Sequence, residues 1–155
     1  MGGLFRTAAA EHHLGIEEFY ASLKNDPALE RSMDQQQINL MKTKSNLVVQ
    51  RRISWLLAKQ SPFPVVNVFL AVDPQIGAER KIKEGVYPNK TLDEVLVIHK
   101  QREHEERIRY RTLYDIENFL DPKQYDFLIN TSKLNEAEVL EKILKGLGIS
   151  GIEIK

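Results

Sequence analysis

The segment Gln101-Arg102-Glu103-His104-Glu105-Glu106-Arg107-Ile108-Arg109-Tyr110-Arg111 holds the side chains best suited to phosphate chemistry in this chain. Arg102, Glu106 and Arg109 are spaced i, i+4, i+7, which stacks them along one face if the segment is helical. Two guanidinium groups two turns apart can grip a dianionic phosphate from both sides, and a carboxylate between them can fix their rotamers. The same segment contains the i, i+4 pairs Glu103–Arg107 and Glu105–Arg109, a lattice common on solvated helices and worth about 0.2–0.5 kcal/mol per pair. Spacing alone favours that solvated lattice.

Other chemistry-bearing types are poorly arranged. His99 and His104 are five apart, the wrong offset for a shared metal, and no carboxylate–histidine signature surrounds them or the pair His12-His13. These histidines read as solvated side chains, and no metal site is expected. Gly146-Leu147-Gly148-Ile149-Ser150-Gly151 matches the dinucleotide glycine pattern formally. That pattern works only between a strand and the helix it opens, whereas here it follows a helical pattern, and a helix C-cap explains Gly146. None of the 8 glycines begins a G-x-x-x-x-G-K-[ST] phosphate loop.

The elements that must carry these residues can be read from local signals. Three short apolar runs, 46–50, 65–72 and 125–130, predict strands. The middle run, Val65-Val66-Asn67-Val68-Phe69-Leu70-Ala71-Val72, is nearly unbroken, which predicts a strand covered on both faces. Asp26-Pro27 predicts a helix start, with a carboxylate N-cap and proline at the first helical position, running to about Lys44. Thr91-Leu92-Asp93-Glu94 is a capping box that opens a charged helix to about Tyr114. Asn135-Glu136-Ala137-Glu138 opens a last helix with Val139, Leu140, Ile143 and Leu144 on one stripe. Strands alternating with helices imply an α/β fold, a parallel sheet flanked by helices.

Composition sets the outer limits. The 155 residues, 42% hydrophobic, suit one domain with a core. Lys+Arg 22 balance Asp+Glu 22, so no global field recruits nucleic acid or an anionic membrane, and phosphate binding must come from local arginines. With no cysteine, disulfides and thiolate metal sites are excluded. The N-terminal residues hold no apolar signal core and no apolar run is long enough to span a bilayer. A cytoplasmic setting is the expectation.

Taken together these segments resemble the archaeal-type cytidylate kinases, a branch of the P-loop nucleoside monophosphate kinases. The resemblance covers roughly residues 3–147. Its most specific stretch is the Arg/Glu helix ending in Arg109-Tyr110, continuing through Leu113-Tyr114-Asp115-Ile116 to Tyr125-Asp126-Phe127-Leu128-Ile129-Asn130-Thr131-Ser132. Upstream, Gly3-Leu4-Phe5-Arg6 resembles the family's G-x-x-F-R segment, and Met33-Asp34-Gln35-Gln36-Gln37 its D-x-x-Q stretch. The resemblance implies transfer of the ATP γ-phosphoryl group to CMP or dCMP, with Mg2+ and ATP used by the complete enzyme. It implies that Arg6 and Arg52 hold the acceptor phosphate, that Asp34 lies near the cytosine, and that Arg80 belongs to the lid and faces the donor phosphates. Arg102 and Arg109 are implied to bridge donor and acceptor phosphates as the catalytic pair, with Glu106 between them. A kinase for UMP or AMP would use the same arginines. A non-catalytic nucleotide-binding module is the alternative from a different class.

The chain also departs from the family pattern. Gln50-Arg51-Arg52 stands where the family has E-G-R, and Gly77 where it commonly has a lid arginine. The resemblance further implies that the chain starts after the family's second strand, so that the first two strands and the Walker loop lie outside it. The expectation is then a single partial domain over 1–155: a monophosphate-binding helical region at about 3–45 and the remaining core at about 46–150, with the lid near 77–91. Such a chain alone is expected to fold poorly, bind no ATP and phosphorylate nothing.

Overall fold

The computed structural model describes residues 3–15, 18–19, 22 and 26–149, with side chains from residue 7 onward. The chain divides into two compact units, Met1–Val65 and Val66–Lys155.

In the first unit the described helices are α1 (Gly3–Glu11), α2 (Pro27–Thr43) and the short α3 (Ser54–Ala58). α2 starts as its sequence predicts: the Asp26 carboxylate accepts the Leu29 N–H at 3.0 Å, and Pro27 occupies the first turn, where a missing N–H costs nothing. Its apolar residues bury in two patches. Met33 packs with Ala9 and Phe19, while Ile38 and Met41 pack with Leu57 of α3. The run 46–50, predicted as a strand, is irregular instead. Asn46 takes a left-handed φ of 57° that breaks the extended run, and Val48 is 99% exposed. A strand is stabilised by a neighbour's hydrogen bonds and packing rather than by its own residues; Val49 packs on Ile38, Met41 and Leu57, but among the described residues no strand pairs with this segment.

The second unit is built on a parallel pair, β1 (Val68–Ala71) and β2 (Phe127–Asn130), in the register Val68↔Phe127 to Ala71↔Asn130. Both ends of the pair are closed by hydrogen bonds. At one end the Asn67 N–H donates to the Asp126 carboxylate at 2.6 Å, and the Asp126 N–H donates to the Asn67 carbonyl at 2.8 Å. At the other, Thr131 donates to the Ala71 carbonyl from both its N–H and its hydroxyl, and Ser132 Oγ accepts the Asp73 N–H.

Parallel strands need a long crossover. Here it consists of α4 (Pro74–Lys83) and α5 (Leu92–Tyr114), which pack on each other with Ala78 and Val95 fully buried, followed by a 3-10 turn at Pro122–Gln124. Helix α6 (Glu136–Gly146) follows β2 and packs against it. The predicted capping boxes of α5 and α6 are both formed. The fold is therefore α/β, a small parallel sheet flanked by helices.

Two further expectations change. The run 65–72 forms a strand only over 68–71, and Val65, Val66, Leu70 and Val72 are each at least 39% exposed. A two-stranded sheet has too narrow a face for its helices to cover every residue of such a run. Gly146 is also not the cap: the left-handed residue is Gly148, φ 70°. The Gly148 N–H reaches the Lys145 carbonyl and the Ile149 N–H the Leu144 carbonyl, a Schellman closure. Gly146 instead lets β2 approach, since a Cβ there would lie 2.7 Å from the Phe127 ring. Among the described residues no helix is long and apolar enough to cross a membrane.

Candidate functional site

Helix α5 separates the two readings of its charges onto different faces. Arg102, Glu106 and Arg109 lie on the less exposed side, continuous with buried Tyr110, while Gln101, His104, Ile108 and Arg111 are exposed. Arg102 Nε donates to Glu106 Oε1 at 3.3 Å, and the Glu106 side chain is 6% exposed against 31% for Arg102. A buried carboxylate thus pairs with a partly exposed guanidinium and restricts its rotamers. The Arg109 guanidinium carbon sits 5.2 Å from the centre of the Tyr110 ring, which meets Phe119 edge-on at 5.2 Å. On another face, Arg107 pairs with Glu103 at 3.1 Å in the solvated manner, and its Nη1 reaches Asn118 Oδ1 at 3.3 Å.

Arg80, on α4, is tied to the chain itself. Its Nη2 donates to the carbonyls of Thr131 (2.8 Å), Ser132 (3.2 Å) and Leu134 (3.2 Å). One guanidinium nitrogen therefore holds the loop that leaves β2 at the C-terminal edge of the parallel pair, the edge where α/β sheets bind their ligands. Gly77, three residues earlier on α4, has Val72 Cγ1 3.2 Å from where a Cβ would sit, so a side chain there would press on the strand end.

In the first unit, Asp34, singled out by the resemblance, sits in the best organised cluster, together with Glu30 and Arg51, to which sequence reasoning gave no role. Glu30, Asp34 and Gln37 recur at i, i+4, i+7 on α2, and all three are buried. Arg51 covers them. Its Nη1 is in ion-paired contact with Asp34 Oδ1 and donates to Gln37 Oε1 at 3.3 Å, and its Nη2 lies 3.5 Å from Glu30 Oε1. The Arg51 side chain is 5% exposed. The helical spacing of Glu30, Asp34 and Gln37 was a readable signal; nothing local pointed to Arg51 as their partner.

Arg52, its neighbour, is exposed in the turn before α3, between buried Arg51 and fully buried Ile53. Arg6 lies in α1, and its side chain falls outside the described residues. Asp34 and Arg52 thus belong to the first unit, and Arg80, Arg102, Glu106 and Arg109 to the second. Among the described residues no group of three or more His, Cys, Asp or Glu side chains could hold a metal ion.

Comparison with known proteins gives consistent relatives. The chain is 32% identical over 136 residues to the cytidylate kinase of Methanococcus aeolicus, covering 86% of this chain and 73% of that one. It is 31% identical over 156 residues to the cytidylate kinase of Archaeoglobus fulgidus, covering 99% of this chain and 81% of that one. It is 29% identical over 149 residues to the cytidylate kinase of Methanococcus vannielii, covering 94% and 82%. No family model matches the chain. No solved structure matches it either.

Proposed function

The chain belongs to the cytidylate kinase family, and on that basis we propose that it carries the acceptor and transfer side of a nucleoside monophosphate kinase acting on CMP or dCMP. The observation that carries the reading is the Arg102–Glu106 pair on the inner face of α5, with Arg109 two turns from Arg102. In the proposed reaction an oxygen of the acceptor's phosphate attacks the γ-phosphorus of ATP. The bond to the β–γ bridging oxygen breaks, and ADP leaves. Such a transfer asks the protein for positioning and charge neutralisation rather than covalent help.

Arg52, exposed on a turn anchored by its two buried neighbours, is suited to hold the acceptor's phosphate, with Arg6 as its partner in that role. Arg102 and Arg109 are suited to the charge that builds on the transferring group, with Glu106 holding the first of them in one rotamer. Arg80 contributes by fixing the 131–134 loop at the sheet's ligand-binding edge. The 155 residues contain no G-x-x-x-x-G-K-[ST] sequence, so they supply arginines for the phosphates but no Walker loop for ATP. Mg2+, when bound with ATP, would offset phosphate charge.

The test is calorimetric binding of CMP, dCMP, UMP and AMP to the purified chain, followed by ATP-dependent turnover. We expect saturable binding of a pyrimidine monophosphate, weakened at least about tenfold (about 1.4 kcal/mol) in Arg52→Ala, and no turnover. Absence of saturable binding to any of the four nucleotides would sink the proposal, as would binding that ignores Arg52→Ala.

A further inference from the structure

We propose that the open side of helix α6 pairs with the same helix of a second copy of this chain, running antiparallel, to form a weak symmetric dimer.

Helix α6 separates its side chains cleanly. Val139, Leu140, Ile143, Leu144 and Leu147 follow one side of the helical path, and Glu138, Glu141, Lys142 and Lys145 the other. At 11 residues it is too short to hold on propensity alone, so its stability has to come from covering the apolar side. Yet none of its residues is buried, and Leu140 and Leu147 are 40% and 39% exposed. The width of the sheet explains this. Gly146 lies against the Phe127 ring, so the line through Val139, Ile143 and Gly146 is the one turned to β2. The next line round the helix, Ala137, Leu140, Leu144 and Leu147, overhangs the strand. Among the described residues the sheet has two strands, and no third strand reaches under that line.

Spacing and charge say what covers it. Positions 137, 140, 144 and 147 advance by three, four and three, the spacing of a seam between two helices. Laid antiparallel about a two-fold axis at residue 142, the seam closes on itself. Ala137 then meets Leu147 of the partner subunit, and Leu140 meets Leu144 of the partner subunit, so every layer is apolar. The charges select the same direction. Glu136, Glu138 and Glu141 occupy the N-terminal half, and Lys142 and Lys145 the C-terminal half. Antiparallel pairing sets each acidic half against the other copy's basic half and opposes the two helix dipoles, whereas parallel pairing would align like charges. The approach of the two Glu141 side chains at the axis is offset by the lysines on either side. With two acids balancing two bases along this flank, an anionic lipid surface has nothing to recognise. A seam of three turns is small beside the surface of a stable complex, so the dissociation constant should be on the order of 100 µM.

Sedimentation equilibrium of the full chain from about 5 to about 500 µM tests the pairing, with circular dichroism as the folding check. The wild type is expected to pass from monomer to dimer across that range. Leu140→Glu, at an exposed position, should weaken the dimer at least about tenfold. Glu141→Lys should weaken it too, and adding Lys145→Glu should recover most of that loss. Because the chain has no cysteine, the register can be read by oxidising an equimolar mixture of Ala137→Cys and Leu147→Cys chains. The mixed disulfide should clearly exceed the random share. A chain that stays monomeric to about 500 µM would overturn the proposal, whatever lipid vesicle or other protein the helix then binds. So would a folded Leu140→Glu chain that dimerises as well as the wild type, or a charge swap that recovers nothing. If Leu140→Glu does not fold, a mixed disulfide no commoner than chance would overturn it instead.

Discussion

Arg51 and Asp34 form a buried ion pair across the first unit, Nη1 of the guanidinium against Oδ1 of the carboxylate, each side chain 5% exposed. The pair joins helix α2 to the turn before α3 and brings Glu30 and Gln37 into the same contact set. It makes the conformation of that turn depend on electrostatics inside the unit rather than on the turn's own residues.

Removing the cation should therefore be costly. Arg51→Met leaves Glu30 and Asp34 buried without their common partner, and breaking a buried pair from one side costs about 3–5 kcal/mol. Urea denaturation followed by tryptophan fluorescence is a suitable measurement, since Trp55 is buried in the neighbouring helix α3. A loss below about 1 kcal/mol would mean that the pair is solvated in solution.

Arg80→Ala should loosen the end of the sheet without dissolving it. Three carbonyls lose their donor, those of Thr131, Ser132 and Leu134. Such a loss costs about 1–3 kcal/mol when the groups stay shielded from water. Hydrogen exchange at residues 131–134 should accelerate more than exchange in α5. Equal acceleration throughout the second unit would show that Arg80 supports global stability instead.

The N-terminus of α5 should sense pH. The Glu94 carboxyl is lowered from an ordinary 4.5 to about 2, first by the Thr91 backbone N–H, then by the Lys90 ammonium and the Thr91 hydroxyl. A folded pKa below the unfolded one adds stability that is complete above the unfolded value and disappears as pH falls toward the folded one. The contribution should thus be full at neutral pH and fade between pH 4.5 and about 2. Because the side chain is exposed, salt should weaken it further. Glu94→Gln should be less stable than wild type at neutral pH, with the gap closing near pH 2 and shrinking in high salt. A gap that ignores both variables would refute the assignment.

Gly146→Ala poses opposed effects. Alanine favours a helix over glycine by about 0.8–1 kcal/mol. The added methyl group, however, would stand 2.7 Å from the Phe127 ring, and overpacking costs about 1–3 kcal/mol. We expect a net loss near 1 kcal/mol, recovered when Phe127→Leu is added to make room. Stabilisation by the single substitution would show that the ring moves freely.

Much of this architecture was legible before any fold was known, and for a common reason. The helix starts at Asp26, Thr91 and Asn135 are set by a side chain bonding to a backbone N–H three residues on. That Arg102, Glu106 and Arg109 share one face follows from helical periodicity in the same way, whereas the burial of Glu106 on that face does not. These are interactions within a turn or two, so the residue order contains them.

The rest depended on partners far along the chain. Glu30 and Arg51 are 21 residues apart, and no local rule selects Arg51 over Arg52 as the guanidinium that turns inward. The run 46–50 has strand-forming residues but pairs with no strand among the described residues, and Gly146 is explained by a phenylalanine on β2 rather than by its own helix. Caps and helical faces come from contacts between near neighbours and can be read directly. Burial, ion pairing and strand pairing are decided by which distant segments meet, and only the tertiary structure contains that.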